Sequence, residues 1–94
     1  MAKRAILLGP RFLAALKDLS ATELTRVEEA LKLLPDCFGQ PHIHAGMSIR
    51  RFRRNIYECR AGLITRTLFR PHAQTLEVFF AGNHDEVRRL IRDL

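Results

Sequence analysis

Seven arginines and only one acid lie within residues 50–70, in a segment whose apolar residues form runs typical of β-strands. A guanidinium group stays charged in proteins and is almost never buried without a partner. The strands that carry these arginines should therefore leave one face of their sheet accessible, and we expect helices on the other face only. The arginines are Arg50, Arg51, Arg53, Arg54, Arg60, Arg66 and Arg70, and the acid is Glu58.

The first third of the chain predicts a short strand and a helical hairpin. Residues 5–8 form an apolar run of strand-like length, and two stripes of apolar residues at helical spacing follow. Ser20 and Glu23 form a capping-box pattern that marks the start of the second helix, and Pro35 is expected to end it. The stripes are Phe12, Leu13, Leu16 and Leu19 in the first helix and Leu24, Val27, Leu31 and Leu34 in the second.

The second half predicts three consecutive strands and a helix. Residues 48–60 are strand-like but irregular, which indicates a bulge or a break near residues 53–55. Tight turns should separate this strand from residues 63–70, and that strand from residues 75–81. Asn83 is expected to cap the last helix. In the last strand, one face should carry Leu76, Val78 and Phe80.

These elements give the order β-α-α-β-β-β-α in a single domain that covers residues 1–94. Consecutive strands joined by tight turns pair as an antiparallel meander. We therefore predict an α+β fold in which the N-terminal helical hairpin and the C-terminal helix pack on that meander sheet.

The charge distribution favours a polyanionic partner. The formal net charge is +6, and residues 48–94 hold ten arginines, no lysine and five acids. Arginine presents a planar fork of donors that matches phosphate oxygens two at a time. A basic face of this kind is typical of nucleic-acid binding, although a soluble surface that happens to be basic would look the same.

Other chemistry receives little support from the sequence. Cys37 and Cys59 form no Cys-x-x-Cys pair, so neither a disulfide framework nor a structural zinc site is predicted. His42 and His44 have the spacing of a weak metal pair but lack further ligands nearby, and we expect no metal and no cofactor. No apolar run approaches membrane-spanning length, and the cytoplasm is the expected location.

The C-terminal part resembles the RelE/ParE toxin superfamily. The resemblance lies in residues 63–70, Leu-Ile-Thr-Arg-Thr-Leu-Phe-Arg, followed by a short turn, an apolar strand and Gly82-Asn83-His84-Asp85-Glu86-Val87. It implies a small cytoplasmic toxin of a toxin–antitoxin pair, with a cognate antitoxin as partner. RelE-like members cut mRNA in the ribosomal A site without a metal, whereas ParE-like members inhibit DNA gyrase.

The same resemblance suggests roles for individual residues. Arg66 matches the mid-strand arginine that holds the scissile phosphate, and His84 falls where the family places a second catalytic group. Glu58 is either a general base or a salt-bridge partner of Arg66. Binding of RNA phosphates, in mRNA or ribosomal RNA, is expected of Arg50, Arg51, Arg53, Arg54 and Arg70.

One departure from the family pattern keeps a second hypothesis open. Many nucleases of the family have a tyrosine just after the Glu-Val pair, and Arg88 stands there in this chain. This favours the alternative of a non-enzymatic gyrase inhibitor or an inactive toxin relative that only binds its antitoxin. A plain RNA-binding module is a third hypothesis, which the lack of exposed aromatic pairs on the strands disfavours.

Overall fold

A computed structural model describes residues 3–39 and 48–94 of the chain. Among these residues no helix combines the length and the apolar character needed to cross a membrane. The elements are β1 (Ala5–Leu8), α1 (Pro10–Ala15, continued by a 3₁₀ turn at Leu16–Asp18), α2 (Ala21–Cys37), β2 (Arg50–Arg53), β3 (Ile56–Ala61), β4 (Thr65–Pro71), β5 (Thr75–Gly82) and α3 (His84–Asp93).

The strands form one sheet in the order β1-β5-β4-β3-β2. Strands β2 to β5 are the expected antiparallel meander, and β1 joins its edge in parallel with β5, so the sheet is mixed. The meander has one strand more than predicted because residues 54 and 55 break the irregular segment into β2 and β3. The α+β class and the break near residues 53–55 are thus confirmed.

The helices lie on both faces of the sheet, and the expectation that they share one face is wrong. On one face, Phe69 of β4 is buried in a core with residues of α1 and α2. On the other face, Leu68 is buried with Val87 of α3. Adjacent residues of a strand point to opposite sides, so β4 is covered from both directions. Helix α3 is short and leaves part of its side of the sheet uncovered. We call this side of the sheet the α3 face.

A β-bulge changes which residues of β5 point together. The pairing of β4 with β5 shifts its register between Leu68 and Phe69, so that Phe79 has no partner of its own. Phe79 and Phe80 both pack with the α3 cluster, whereas Val78 packs with α1 and α2. The expected alignment of Phe80 with Leu76 and Val78 is therefore wrong, because an inserted residue flips the side chains that follow it.

The boundaries of α2 show one predicted signal and one correction. Ser20 and Glu23 form the predicted capping box, in which each side chain bonds the backbone N–H of the other. Helix α2 continues through Pro35 to Cys37, and the backbone N–H of Phe38 donates to the Leu34 carbonyl. A proline removes its own N–H bond, and its ring crowds the carbonyl four residues earlier. Two residues before its end, α2 accommodates both effects.

Glu23 also joins α2 to the sheet, and this predicts a pH-dependent stability. The hydrogen bond from Thr65, followed by those from Ser20, holds the pKa of Glu23 below its ordinary value of 4.5. A carboxyl whose pKa is lowered by folding stabilises the protein above its ordinary pKa, and this contribution is lost as pH falls through the folded value. In urea unfolding, Glu23→Gln should therefore lose stability at pH 7, and its deficit should shrink toward zero as the pH falls below 4.5. The exposed Glu28→Gln, on the same helix, is the control, and a Glu23→Gln deficit that is constant with pH would contradict the account.

Candidate nucleic-acid interface

One row of side chains crosses the α3 face of the sheet. Arg50 of β2 faces Glu58 of β3, Glu58 faces Leu68 of β4, and Leu68 faces Phe80 of β5. Directly opposed residues of antiparallel strands point to the same side. Because Leu68 and Phe80 pack with α3, Arg50 and Glu58 also lie on the α3 face.

The neighbouring row contains Arg66. Arg66 of β4 lies between Arg60 of β3 and Gly82 of β5. A Cβ at position 82 would come within 2.9 Å of the Phe80 ring and 3.1 Å of the Glu86 carboxylate, so a larger residue would have to displace these side chains. The exposed His84 follows two residues later as the first residue of α3. The structure therefore brings Arg66 and His84 to the same end of the sheet.

An ion pair connects the two rows. Nη1 of Arg66 donates to Oε1 of Glu58 at 3.0 Å, and the two side chains are 16% and 3% exposed. Among the described residues, the buried Oε2 of Glu58 and Nε of Arg66 have no hydrogen-bond partner. The pair therefore uses a single hydrogen bond, although a guanidinium and a carboxylate are able to form two. Glu58 is directed at Arg66 and not at solvent.

The other four predicted phosphate-binding arginines lie in different places. Arg51 faces Tyr57, which packs with the α1–α2 core, so Arg51 lies on the opposite side from Arg50. Arg53 donates from Nη2 to the Ile91 carbonyl at 2.8 Å and so holds the C-terminal turn of α3. Arg54 is exposed in the turn after β2. Arg70, near the end of β4 away from Arg66, stacks its guanidinium over the Phe79 ring at 3.9 Å.

The structure shows a second basic feature, which was not predicted from the sequence. An open groove of about 610 Å³ runs between β2 and α3, and arginines of α3 dominate its lining. Arg88 and Arg92 are four residues apart in a helix, a spacing that places both side chains on one face and could have indicated this groove. Its lining consists of Phe52, Asp85, Arg88, Arg89, Ile91 and Arg92.

The remaining candidate groups show no further reactive site within the described residues. Residues 3–39 and 48–94 contain no group of three or more His, Cys, Asp or Glu side chains that could hold a metal ion. His42 and His44, the weak metal pair of the sequence, lie outside the described residues. Cys37 and Cys59 are free and buried. Burial raises the pKa of the Cys59 thiol to about 11, so at neutral pH it is not a thiolate nucleophile.

Comparison with known proteins identifies the architecture. No protein-family model matches the sequence, and no curated protein sequence matches it. Among solved structures, YafQ in the Escherichia coli DinJ–YafQ toxin–antitoxin complex matches with a TM-score of 0.72 at 11% identity, over 92% of this chain and 98% of that one. The chain has the RelE-like fold.

Two further structures extend this result to other organisms. The RelE–RelB complex of the archaeon Pyrococcus horikoshii matches with a TM-score of 0.65 at 12% identity, over 87% of this chain and 96% of that one. YoeB from Staphylococcus aureus, solved as a dimer, matches with a TM-score of 0.63 at 12% identity, over 88% and 99%. The RelE-like fold thus accounts for nearly the whole chain, with almost none of the sequence in common.

The Arg66–Glu58 pair in this RelE-like fold predicts an asymmetric mutational effect. Arg66→Met should destabilise the protein by about 3 kcal/mol, because it leaves the buried Glu58 carboxylate without a cation. The double variant Glu58→Gln/Arg66→Met should recover most of this loss. Urea unfolding measures both.

The exposed Arg26→Met on α2 is the control for these variants, and its effect should stay within about 0.5 kcal/mol. If the double variant loses as much stability as Glu58→Gln and Arg66→Met lose in sum when each is measured alone, the two side chains do not act as a buried pair.

Proposed function

We propose that this chain is the toxin of a toxin–antitoxin pair, a RelE-like endoribonuclease that cleaves mRNA on the ribosome without a metal ion. The observation that carries the proposal is the placement of Arg66 and His84 at one end of the sheet, in a RelE-like fold. Arg50 lies opposite Glu58 and Arg60 lies opposite Arg66, and both add positive charge to this surface. These groups offer phosphate binding and proton transfer on one surface.

The reaction would use the RNA itself as the nucleophile. A base removes the proton of a 2′-hydroxyl, its oxygen attacks the adjacent phosphorus, and the 5′-oxygen leaves with a proton from an acid. The products are a 2′,3′-cyclic phosphate and a free 5′-hydroxyl. DNA has no 2′-hydroxyl and would not be cut.

Two side chains suit this reaction, one by stabilising charge and one by moving protons. Arg66 would stabilise the charge that develops on the phosphoryl oxygens, a contribution worth roughly 3 kcal/mol in comparable sites. His84 is exposed, and the nitrogens of its imidazole ring can accept or donate the proton that the reaction moves. The family tyrosine after the Glu-Val pair is replaced by Arg88, so His84 would carry the proton transfer without it.

A cognate antitoxin and a cytoplasmic location belong to the same proposal. YafQ with DinJ and RelE with RelB are toxin–antitoxin complexes that share this fold. An acidic antitoxin segment would complement the net charge of +6, which arises mainly from residues 48–94.

The cleavage test uses purified ribosomes programmed with a defined mRNA. Wild type should cut the message and leave a 5′-hydroxyl and a 2′,3′-cyclic phosphate. His84→Ala should lower the single-turnover rate about 10²–10⁴-fold, and Arg66→Ala about 10²–10³-fold. Arg26→Ala, which removes an exposed arginine of α2, should cleave like wild type.

Other outcomes of the test separate the rival functions. Equal cleavage by wild type and His84→Ala would remove His84 from the reaction. The absence of cleavage combined with inhibition of gyrase supercoiling would favour the ParE-like alternative. That alternative has one observation in its support, namely that Glu58 partly neutralises Arg66 in the free protein.

The groove between β2 and α3 generates a prediction about RNA binding. If Arg88 and Arg92 contact phosphates, then Arg88→Ala/Arg92→Ala should reduce the slope of log affinity against log salt by roughly 1 to 2 for a duplex RNA oligonucleotide. Fluorescence anisotropy at several salt concentrations measures this slope. The control removes two exposed cations from α2, Arg26→Ala/Lys32→Ala, and an equal change in both double variants would mean that only net charge matters.

A further inference from the structure

The buried carboxylate of Glu58 is badly placed for the role of general base. Its side chain is 3% exposed, and its Oε1 is already bonded to Arg66. A general base must come within hydrogen-bond reach of the proton that it removes. A 2′-hydroxyl held at the protein surface would lie beyond that reach, because Oε1 is paired with Arg66 and the unbonded Oε2 is buried. The carboxylate therefore needs another explanation.

Arg66 differs from its partner in that part of it reaches the surface. Its side chain is 16% exposed, and Glu58 engages only one of its several N–H donors. Arg66 thus has donors left for a second anion. An oxyanion that binds there would meet the carboxylate of Glu58 a few ångströms away, in a partly buried site where charges are weakly screened.

No other described cation is bonded to Glu58. Arg50 faces Glu58 across β2 and β3, but its guanidinium lies over the Phe52 ring at 4.7 Å. Among the described residues, Arg66 forms the single ion pair of this carboxylate. The negative charge of Glu58 therefore acts mainly on Arg66 and on whatever Arg66 binds.

We propose that Glu58 is a positioning residue and internal counter-ion, which fixes the guanidinium of Arg66 and weakens its binding of phosphate in the free protein. The proposal rests on the proposed function only in taking Arg66 as a phosphate contact. With Glu58 beside it, the surface around Arg66 binds anions only weakly in the free protein. A negative charge close to a phosphate in such a site lowers its affinity by at least about tenfold.

The direct test is a titration with inorganic phosphate, followed by the ¹H–¹⁵N resonances of arginine Nε–H groups. Arg66→Lys identifies the resonance of Arg66. Glu58→Gln keeps the size of the side chain and an acceptor for Nη1 but removes its charge. It should bind phosphate about tenfold more tightly than wild type, with the Arg66 resonance shifted at saturation.

Two further variants make the titration decisive. Glu58→Leu, which is apolar and of similar volume, should show the same rise in affinity if Glu58→Gln is poorly folded. Glu77→Gln removes a carboxylate on β5 that faces Arg70 of β4. It should leave the phosphate affinity at Arg66 unchanged. Unchanged or weaker binding in both Glu58 variants would overturn the proposal.

A cleavage experiment distinguishes a counter-ion from a base. As a counter-ion, Glu58→Gln should lower KM for the ribosome-bound message and leave kcat within a few-fold of wild type. As a base, it should lower kcat about 10²–10⁴-fold and leave KM in place, and that result would also overturn the proposal. The phosphate titration needs neither RNA nor ribosomes, so its result stands even if the protein cleaves no RNA.

Discussion

The covering of β4 from both sides is the constraint on which the rest of the structure depends. Phe69 is buried against the α1–α2 hairpin, and the adjacent Leu68 is buried against α3. Apolar side chains fill both sides of this strand at its middle. The two charged residues of β4, Arg66 and Arg70, lie toward its ends, and Arg66 lies at the end where β5 passes into α3. Glu58, which faces Leu68, is buried by the same packing and requires a cation beside it.

Local signals in the sequence predicted most of the secondary structure. The capping box at Ser20 and the cap at Asn83 are present as expected, and the irregular segment breaks where its pattern fails. These features depend on residues three or four apart, which a single sequence displays directly. The parallel pairing of β1 with β5 depends on contacts between residues about seventy apart, and the pattern within β1 contains no information about its partner.

The face on which α3 packs could not be predicted from its apolar stripe. The stripe of Val87, Leu90 and Ile91 gives α3 a buried side, but it contains no information about which side of the sheet that stripe meets. A bulge reverses the direction of all following side chains while leaving composition unchanged. The error about Phe80 follows from the bulge at Phe79, which the alternation of apolar residues in β5 does not reveal.

Part of the candidate site could be predicted from the sequence and part could not. Arg66 and His84 were expected together, and the hairpin register places them at one end of the sheet. The run of arginines near residue 50 is dense in sequence but divided in space, because neighbours on a strand point to opposite faces and Arg53 is bonded to α3. The arginines of the α3 groove were missed because they lie on the last helix, far along the chain from that run.

The most direct test of the central claim is to map RNA 5′ ends during induced expression of wild type and His84→Ala in a bacterium. The account predicts growth arrest, with new 5′-hydroxyl ends inside translated messages that are lost in the variant. New ends that are equally abundant in both strains, or arrest without new ends, would contradict the assignment of the Arg66–His84 end of the sheet as the site of RNA cleavage.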